Sequence, residues 1–287
     1  MRILITGGLG QLGQALVHVL DEHELTIVDL PDVDISDRKT TTEKIYDSKP
    51  HLVINCAAYT DVDGCARDPE LAYRVNASGA QNVALACKAI GADLIHISTN
   101  EVFAGDRPEG YEEWVTPNPI SAYGRSKTLA EHHVRISTRR FYIVRTAWLY
   151  APGGRNFIHA ILNRARETGH LRVVADEIGN PTYVHDLALA IRDLLTKGDF
   201  GIYHLVNAGA CSRWAFAQEI LRLAGLEQVT NTPILSREYR RVSTPPLFGA
   251  LHNINGANHG IVLRPWQAAL AEYMTNVSGE WPERPSR

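Results

Sequence analysis

Residues 3–13 read ILITGGLGQLG, and this stretch determines the architecture that we expect for the chain. The β-branched run over 2–6 predicts a strand, and the apolar residues over 11–20 recur at helical spacing. The turn between them fits the pattern Gly-x-Gly-x-x-Gly, whose missing side chains permit a tight turn and let a pyrophosphate approach the backbone. We therefore predict a dinucleotide site at the helix N-terminus, with a purely structural turn as the alternative. The cofactor contacts are expected from Gly7, Gly10, Gln11, Leu12 and Gly13.

The sequence leaves the phosphate state of this cofactor open. Asp29 ends the second predicted strand about 20 residues after the turn, where a carboxylate accepts hydrogen bonds from the adenosine ribose and favours NADH. Arg38 and Lys39 follow closely, and either cation could instead bind the 2′-phosphate of NADPH. Asp34 and Ile35 are placed to flank the adenine. The expected cofactor is therefore NADPH or NADH.

The motif that carries the chemistry lies in residues 122–137, which are predicted to be helical. Tyr123 and Lys127 are four residues apart, so they share one face of that helix. A tyrosine has a pKa near ~10, and a nearby ammonium lowers it by favouring the phenolate. Such a pair can donate a proton to a carbonyl oxygen as hydride reaches the carbon. Thr99, at the end of the fourth predicted strand, could hold the same oxygen, although a surface pair and a turn threonine are the structural alternatives.

The order of the predicted elements indicates the fold class. Residues 1–145 alternate short apolar strands with helices, which predicts a doubly wound parallel α/β sheet of the Rossmann type. A long helix is predicted over 69–90, although Asn76 within it is a poor helix former. That asparagine either organises a water or a backbone group near the lysine, or is simply exposed. We predict an NAD(P)-binding Rossmann domain over 1–150 and a smaller substrate-binding lobe over 151–287, with part of the chain returning to the first domain.

The composition argues against several classes of protein. Hydrophobic residues make up 45% of the chain and charged residues 21%, as in ordinary globular proteins. The formal net charge of −3 gives no reason to expect a nucleic acid partner, and no apolar run approaches the length of a membrane span. The N-terminus does not read as a signal peptide. The four cysteines lack metal-ligand spacing, so we expect reduced thiols, no metal site and a cytoplasmic location.

Several stretches resemble the dTDP-4-dehydrorhamnose reductase family of extended short-chain dehydrogenases/reductases. They are GQLG at 10–13, NCAAYTDVD at 55–63, VNA at 75–77, HIST at 96–99, YGRSK at 123–127, RTAWLY at 145–150, NF at 156–157, GNPT at 179–182 and YHLV at 203–206. The resemblance implies that the cofactor is lined by Ala57, Ala58 and Tyr59, and that the catalytic residues are Thr99, Tyr123 and Lys127. The substrate contacts are expected from Val62, Thr99, Glu101, Tyr123, Trp148 and Asn156.

The implied reaction is the reduction by NAD(P)H of the 4-keto group of a nucleotide-activated 6-deoxyhexose. The expected substrate is dTDP-4-dehydro-L-rhamnose, and the product is dTDP-L-rhamnose. Two departures lie on the substrate side. The family usually reads STDYVF where residues 98–103 read STNEVF, so Glu101 replaces a tyrosine, and residues 244–246 (TPP) stand where an Arg-Pro pair is usual. The alternatives are a reductase or epimerase of another nucleotide sugar, or a non-catalytic, dinucleotide-binding regulatory subunit; a homodimer is compatible with the resemblance.

Overall fold

The computed structural model describes residues 1–153 and 156–277, and a parallel sheet lies at its centre. The strands are β1 (Arg2–Thr6), β2 (Glu24–Val28), β3 (Leu52–Asn55), β4 (Asp93–Thr99), β5 (Phe141–Thr146), β6 (Leu149–Tyr150), β7 (His170–Val174), β8 (Ile178–Gly179), β9 (Thr182–Tyr183), β10 (Gly201–His204), β11 (Cys211–Ser212) and β12 (Thr230–Ile234). Six of them form one sheet in the order β10-β5-β4-β3-β1-β2, and every pairing in it is parallel.

Helices cover both faces of this sheet. They are α1 (Gln11–Val19), α2 (Arg38–Ser48), α3 (Val62–Arg67), α4 (Pro69–Ala72), α5 (Gly79–Ile90), α6 (Ala122–Ser137), α7 (Phe157–Thr168), α8 (Val184–Lys197), α9 (Arg213–Leu223), α10 (Asn255–Asn258) and α11 (Trp266–Asn276). On one face, Leu16 of α1 and Ile191 of α8 pack with Ile5. On the other face, Val83 of α5 packs with Leu4. Because both faces are covered, the central strands are rich in buried apolar residues, and the predicted doubly wound Rossmann sheet is confirmed.

A second hydrophobic core lies in the later part of the chain. Helices α7, α9 and α11 bury Ile158, Phe216 and Leu270 together, and β7 pairs in parallel with β12 beside them. The chain also returns to the central sheet, because β10 lies next to β5 and α8 packs in the first core. The boundary at residue 150 and a substrate-binding role for 151–287 stay predictions, and residues 154–155 and 278–287 of that predicted lobe lie outside the described part of the chain.

The helix predicted over 69–90 is interrupted in the structure. A π-helical segment, Tyr73–Ser78, lies between α4 and α5, and Asn76 is buried within it. An extra residue in a helical turn often marks a functional site. The weak helix propensity of Asn76 therefore coincides with a real irregularity of the helix, the π-helical segment.

Candidate active site

The glycine turn joins β1 to α1, and close backbone contacts require its glycines. Gly7 has a φ of +65°, and a Cβ atom there would lie 2.6 Å from the amide nitrogen of Ala57. A Cβ atom on Gly13 would overlap the carbonyl oxygen of Gly7. Gly10 precedes α1 and has no side chain that could cap the helix. The backbone N–H groups at the helix N-terminus are therefore available to bind an anion. The turn therefore fits the diphosphate of a dinucleotide.

The carboxylate of Asp29 is engaged by this turn. Its Oδ2 accepts a hydrogen bond from the Leu9 amide at 2.9 Å, and its Oδ1 accepts one from the Leu30 amide at 2.8 Å. Asp29 thus braces the turn from the end of β2, and its contact with an adenosine ribose stays a prediction. Arg38 and Lys39 are exposed in the first turn of α2, where a 2′-phosphate could still reach them.

The other residues expected near the cofactor differ in exposure. Gln11 is half-buried at the start of α1, whereas Leu12 is buried in the first core. Asp34 is exposed, but Ile35 is buried against α5, where a Cβ atom on Gly79 would lie 2.8 Å from its side chain. The side chains of Leu12 and Ile35 belong to the core, so we expect these two residues to meet a cofactor through their backbone.

Asn76 holds the segment 57–59, which contacts the glycine turn. Its Oδ1 accepts a hydrogen bond from the Tyr59 amide at 2.7 Å, and its Nδ2 donates to the Tyr59 carbonyl at 3.0 Å. The same Nδ2 lies 2.9 Å from Ser126 Oγ on α6, to which it also donates. The structure therefore confirms that Asn76 organises a backbone group near the lysine. It ties the segment expected to line the cofactor to the helix that carries the Tyr/Lys pair.

Helix α6 carries Tyr123 and Lys127, and it begins and ends where the sequence predicts. Ser121 caps the helix, because its Oγ accepts a hydrogen bond from the Gly124 amide at 2.9 Å. Tyr123 lies in the first turn and interacts with the side chain of Thr99, the last residue of β4. The structure thus brings Thr99 and Tyr123 together at the carboxyl end of the parallel sheet, where such sheets bind ligands.

The Tyr123 phenol is a weaker acid than the sequence suggests. Burial raises its pKa above the ordinary value, and the nearby Glu101 carboxylate and Cys65 raise it further, against a hydrogen bond with Thr99 that lowers it. We expected the Lys127 ammonium to lower this pKa, and that expectation is wrong for this structure because the ammonium is bound elsewhere. A tyrosine with a raised pKa is protonated at neutral pH, which is the form that a proton donor needs.

Lys127 is buried, and burial destabilises its positive charge. Its Nζ donates a hydrogen bond to the Ile97 carbonyl at 2.6 Å and lies 3.4 Å from His96 Nε2. Burial lowers the pKa of the amine from 10.5 to about 8, although Glu131 and Cys56 act in the opposite direction. A buried amine with a strongly lowered pKa is typical of functional sites.

A chain of buried polar side chains connects Lys127 with the strand before the glycine turn. His96 Nδ1 lies 3.1 Å from Asn55 Nδ2, and Asn55 Oδ1 accepts a hydrogen bond from Thr6 Oγ1 at 2.6 Å. These three residues are partners in register on β4, β3 and β1. Burial, and then Lys127, lowers the pKa of His96 well below its ordinary value, so its ring is neutral. Sequence reasoning missed this chain; polar residues at one level of three neighbouring strands are its only signal.

Glu101 lies in the short 3₁₀ turn after Thr99 and connects two elements of the site. Its amide donates to Thr99 Oγ1 at 3.2 Å, and its Oε2 accepts a hydrogen bond from Ser121 Oγ at 2.7 Å. Burial raises the pKa of the carboxyl group, whereas Ser121, Arg213 and Arg241 lower it. Glu101 therefore joins the end of β4 to the cap of α6. Its contact with a sugar stays a prediction.

Trp148 is held in an unusual backbone conformation between two neighbours. Its φ of +47° lies in the left-handed region, which a residue with a side chain rarely adopts. The guanidinium carbon of Arg213 lies 3.6 Å from the centroid of its ring. The ring also packs against Gly179, where a Cβ atom would lie 2.6 Å from the indole. Backbone strain of this kind is concentrated at ligand sites, which agrees with the predicted sugar contact.

The two remaining substrate-side predictions lie at helix starts. Val62 is half-buried at the first position of α3. Asn156 caps α7, because its Oδ1 accepts a hydrogen bond from the His159 amide at 3.1 Å and its Nδ2 donates to the Ala151 carbonyl at 2.8 Å. The amide of Asn156 already serves the local backbone, so a sugar contact would have to share it.

Three further features bear on the class of protein. Within the described residues 1–153 and 156–277, no group of three or more His, Cys, Asp or Glu side chains could hold a metal ion. All four cysteines lie in this part of the chain as free thiols. None of the helices described has both the length and the apolar character that a membrane crossing requires.

Comparison with known proteins agrees with this geometry. The model of the family described as RmlD substrate binding domain matches residues 1–278. The spore coat polysaccharide biosynthesis protein SpsK of Bacillus subtilis is 38% identical over 282 residues, which cover 96% of this chain and 98% of SpsK. The dTDP-4-dehydrorhamnose reductase of Mycolicibacterium smegmatis is 36% identical over 290 residues, which cover 99% of this chain and 88% of that enzyme.

A solved structure extends the match to three dimensions. The crystal structure of dTDP-4-dehydrorhamnose reductase from Bacillus anthracis in complex with NADP superposes with a TM-score of 0.92. It is 37% identical in sequence, and the match covers 96% of this chain and 99% of that one. The family resemblance inferred from the motifs is thereby confirmed. The chain belongs to the RmlD substrate binding domain family.

Proposed function

We propose that this chain reduces the 4-keto group of a nucleotide-activated 6-deoxyhexose, with NADPH or NADH as the reductant. The proposed substrate is dTDP-4-dehydro-L-rhamnose and the product is dTDP-L-rhamnose, in keeping with relatives named dTDP-4-dehydrorhamnose reductase. One observation carries the proposal: Thr99 and Tyr123 meet at the carboxyl end of β4, with Lys127 one turn further along α6. A pure dinucleotide-binding subunit has no need of all three side chains in this arrangement.

The glycine turn and the segment 57–59 would hold the cofactor. Their backbones approach each other so closely at Gly7 that a side chain there would collide with Ala57, which leaves a smooth cradle for phosphates. Lys127 would bind the nicotinamide ribose. When bound, NADPH or NADH supplies a hydride for C4 of the sugar. The NADP in the Bacillus anthracis relative favours NADPH.

Tyr123 would donate its phenolic proton to the keto oxygen, and Thr99 would orient that oxygen by a hydrogen bond. A phenol is protonated at neutral pH at its ordinary pKa, and burial raises the pKa of Tyr123 further. Lys127 lies one turn later on the same helix, where it would hold the nicotinamide ribose beside the phenol. The chemistry therefore divides among three residues on two neighbouring elements, β4 and α6.

The substrate-binding lobe over 151–287 would cover the nucleotide sugar from the side of the second core. Val62, Trp148 and Asn156 are the proposed sugar contacts, together with Glu101. We place the reaction in the cytoplasm, where the four free thiols would persist. A homodimer is compatible with this assignment, whereas nucleic acid and membrane partners are not part of it.

The test is to incubate the protein with NADPH or NADH and dTDP-4-dehydro-L-rhamnose while following the nicotinamide absorbance. We expect continuous oxidation of the cofactor. Tyr123→Phe should lower turnover by roughly 10²–10⁴-fold while retaining cofactor binding, since a positioned acid contributes about that factor. Tyr46→Phe is the matched control, because Tyr46 is 42% exposed and lies on α2 rather than on the helix that carries the motif. An epimerase would isomerise the sugar without net oxidation, and a regulatory subunit would bind the cofactor unchanged; either result would refute the proposal.

A further inference from the structure

Arg213 is a partly buried cation on the substrate side of the site, and its position is well defined. It is the first residue of α9, and its amide donates to the Glu177 carbonyl at 3.2 Å. Its guanidinium carbon lies 3.6 Å from the ring centroid of Trp148 and 5.4 Å from that of Phe157. Its side chain is 27% exposed. The guanidinium therefore stacks on the Trp148 ring, and part of the side chain stays open to solvent.

The carboxylates around Arg213 are already used by other donors. Its ion pair with Glu177 joins Arg213 Nε to Oε2 at 4.0 Å, whereas Arg241 bonds directly to Oε1 of the same carboxylate. The other acidic neighbour, Glu101, accepts its hydrogen bond from Ser121. Neither of the two carboxylates near Arg213 is therefore paired with it alone.

The electrostatic consequence is a cation that its surroundings do not fully compensate. Burial lowers the pKa of Arg213 to about 10, against the Glu177 and Glu101 carboxylates that raise it, and the positive charge of Arg241 lowers it further. A partly desolvated guanidinium with incomplete pairing gains most from an anion that accepts two hydrogen bonds at once. A phosphate group has that geometry.

We propose that Arg213 binds the diphosphate of the sugar nucleotide. This inference rests on the proposed function, since it assumes that the ligand beside Trp148 is a nucleoside diphosphate sugar. The diphosphate is the anionic part of such a ligand, and it is bonded directly to the sugar. If the sugar meets Trp148, the diphosphate lies within reach of the guanidinium stacked on that ring. Arg213 is then a substrate-binding residue that separates nucleoside diphosphates from uncharged nucleosides.

Calorimetric binding of dTDP and of thymidine to the full chain tests this inference. Arg213→Gln should weaken dTDP binding by roughly 10–100-fold, the usual worth of a charge-assisted bidentate contact. It should leave thymidine binding unchanged, because thymidine lacks the diphosphate. Arg222→Gln is the matched control: Arg222 lies on the same helix, but its side chain is 58% exposed and paired with Glu219. NADPH affinity reports that each variant is folded.

Arg213→Lys provides a second variant should Arg213→Gln not fold. Lysine keeps the charge but loses the two-pronged geometry, so dTDP should bind several-fold more weakly than to the wild type. Unchanged dTDP affinity in the folded variants would overturn the inference, as would an equal loss of dTDP and thymidine. Because binding needs no turnover, a chain that binds dTDP through Arg213 but fails to reduce the keto sugar would refute the proposed reaction and leave this contact standing.

Discussion

Replacing Lys127 with methionine should stabilise the fold at neutral pH while removing the amine that is proposed to bind the nicotinamide ribose. Burial lowers the pKa of Lys127 from 10.5 to about 8, and a shift of this size corresponds to a penalty of about 3 kcal/mol for the charged form. Methionine has a similar length and no charge. The Ile97 carbonyl would lose its donor, which costs about 1–2 kcal/mol. The expected net gain in the free energy of unfolding is therefore about 1–2 kcal/mol.

The pH dependence of this gain has a definite sign. The folded-state pKa of Lys127 lies below the unfolded value, so between about pH 8 and 10.5 the unfolded chain binds more protons than the folded one. Wild-type stability therefore gains from Lys127 as the pH rises through this window. The penalty is fully present below the folded pKa and is lost as the pH approaches the unfolded value. The advantage of Lys127→Met should consequently shrink and reverse above neutral pH.

Urea unfolding followed by circular dichroism measures both effects, at about pH 7 and again at about pH 10. Lys197→Met is the control, because Lys197 is 46% exposed and pairs with Asp193 at 2.7 Å on the surface of α8. Its effect should stay within about 0.5 kcal/mol at either pH. A Lys127→Met variant that is less stable than the wild type at neutral pH, with a difference independent of pH, would refute the view that burial destabilises this charge.

Three further predictions test the contacts around the site. Asn76→Ala should lower the free energy of unfolding by about 1–3 kcal/mol and weaken NADPH binding in a fluorescence titration, because it leaves the part-buried Tyr59 amide without its acceptor and removes a donor from the Tyr59 carbonyl; unchanged values would show that the segment 57–59 does not depend on it. Asp29→Ala should weaken NADH more than NADPH, and Arg38→Ala should weaken NADPH alone; identical affinities before and after both changes would exclude both contacts. Glu101→Tyr should lower the KM for dTDP-4-dehydro-L-rhamnose more than it raises kcat, and an unaltered KM and kcat would remove Glu101 from the sugar contacts.

Local patterns were sufficient to predict the glycine turn and helix α6. Gly7 and Gly13 of the turn are required because neighbouring backbone leaves no room for a Cβ atom. The glycine pattern in the sequence therefore shows this requirement directly. Helix α6 keeps its predicted bounds, 122–137, because Ser121 caps its start and its apolar residues recur at helical spacing. Both features depend on residues that are close together in the chain.

Features that depend on strand register could not be predicted from the sequence. Thr6, Asn55 and His96 are far apart in the chain and become neighbours only when β1, β3 and β4 pair. The same packing directs the Lys127 ammonium to the Ile97 carbonyl. Burial, with the Glu101 carboxylate, raises the pKa of Tyr123, opposite to the expected direction. Spacing along a helix shows which side chains share a face, but not which atoms they meet.

The roles of polar side chains near the site were also difficult to predict from the sequence. Asp29 and Asn156 have the residue types that a ribose or sugar contact needs, yet both bond to backbone groups beside them. A carboxylate or amide that braces a turn or caps a helix has the same sequence signature as one that binds a ligand. Arg213 illustrates the converse, since its stacking on Trp148 joins residues from two separate parts of the chain.

The most direct test of the proposed reaction follows one hydrogen atom from the cofactor to the sugar. The protein is supplied with NADPH deuterated at both C4 positions of the nicotinamide and with dTDP-4-dehydro-L-rhamnose, and the product is examined by NMR and mass spectrometry. We expect dTDP-L-rhamnose that carries one deuterium at C4 of the sugar, formed roughly 10²–10⁴-fold more slowly by Tyr123→Phe. A product without deuterium at that carbon, or no product although the cofactor is bound, would contradict the assignment of this chain as a 4-keto sugar nucleotide reductase.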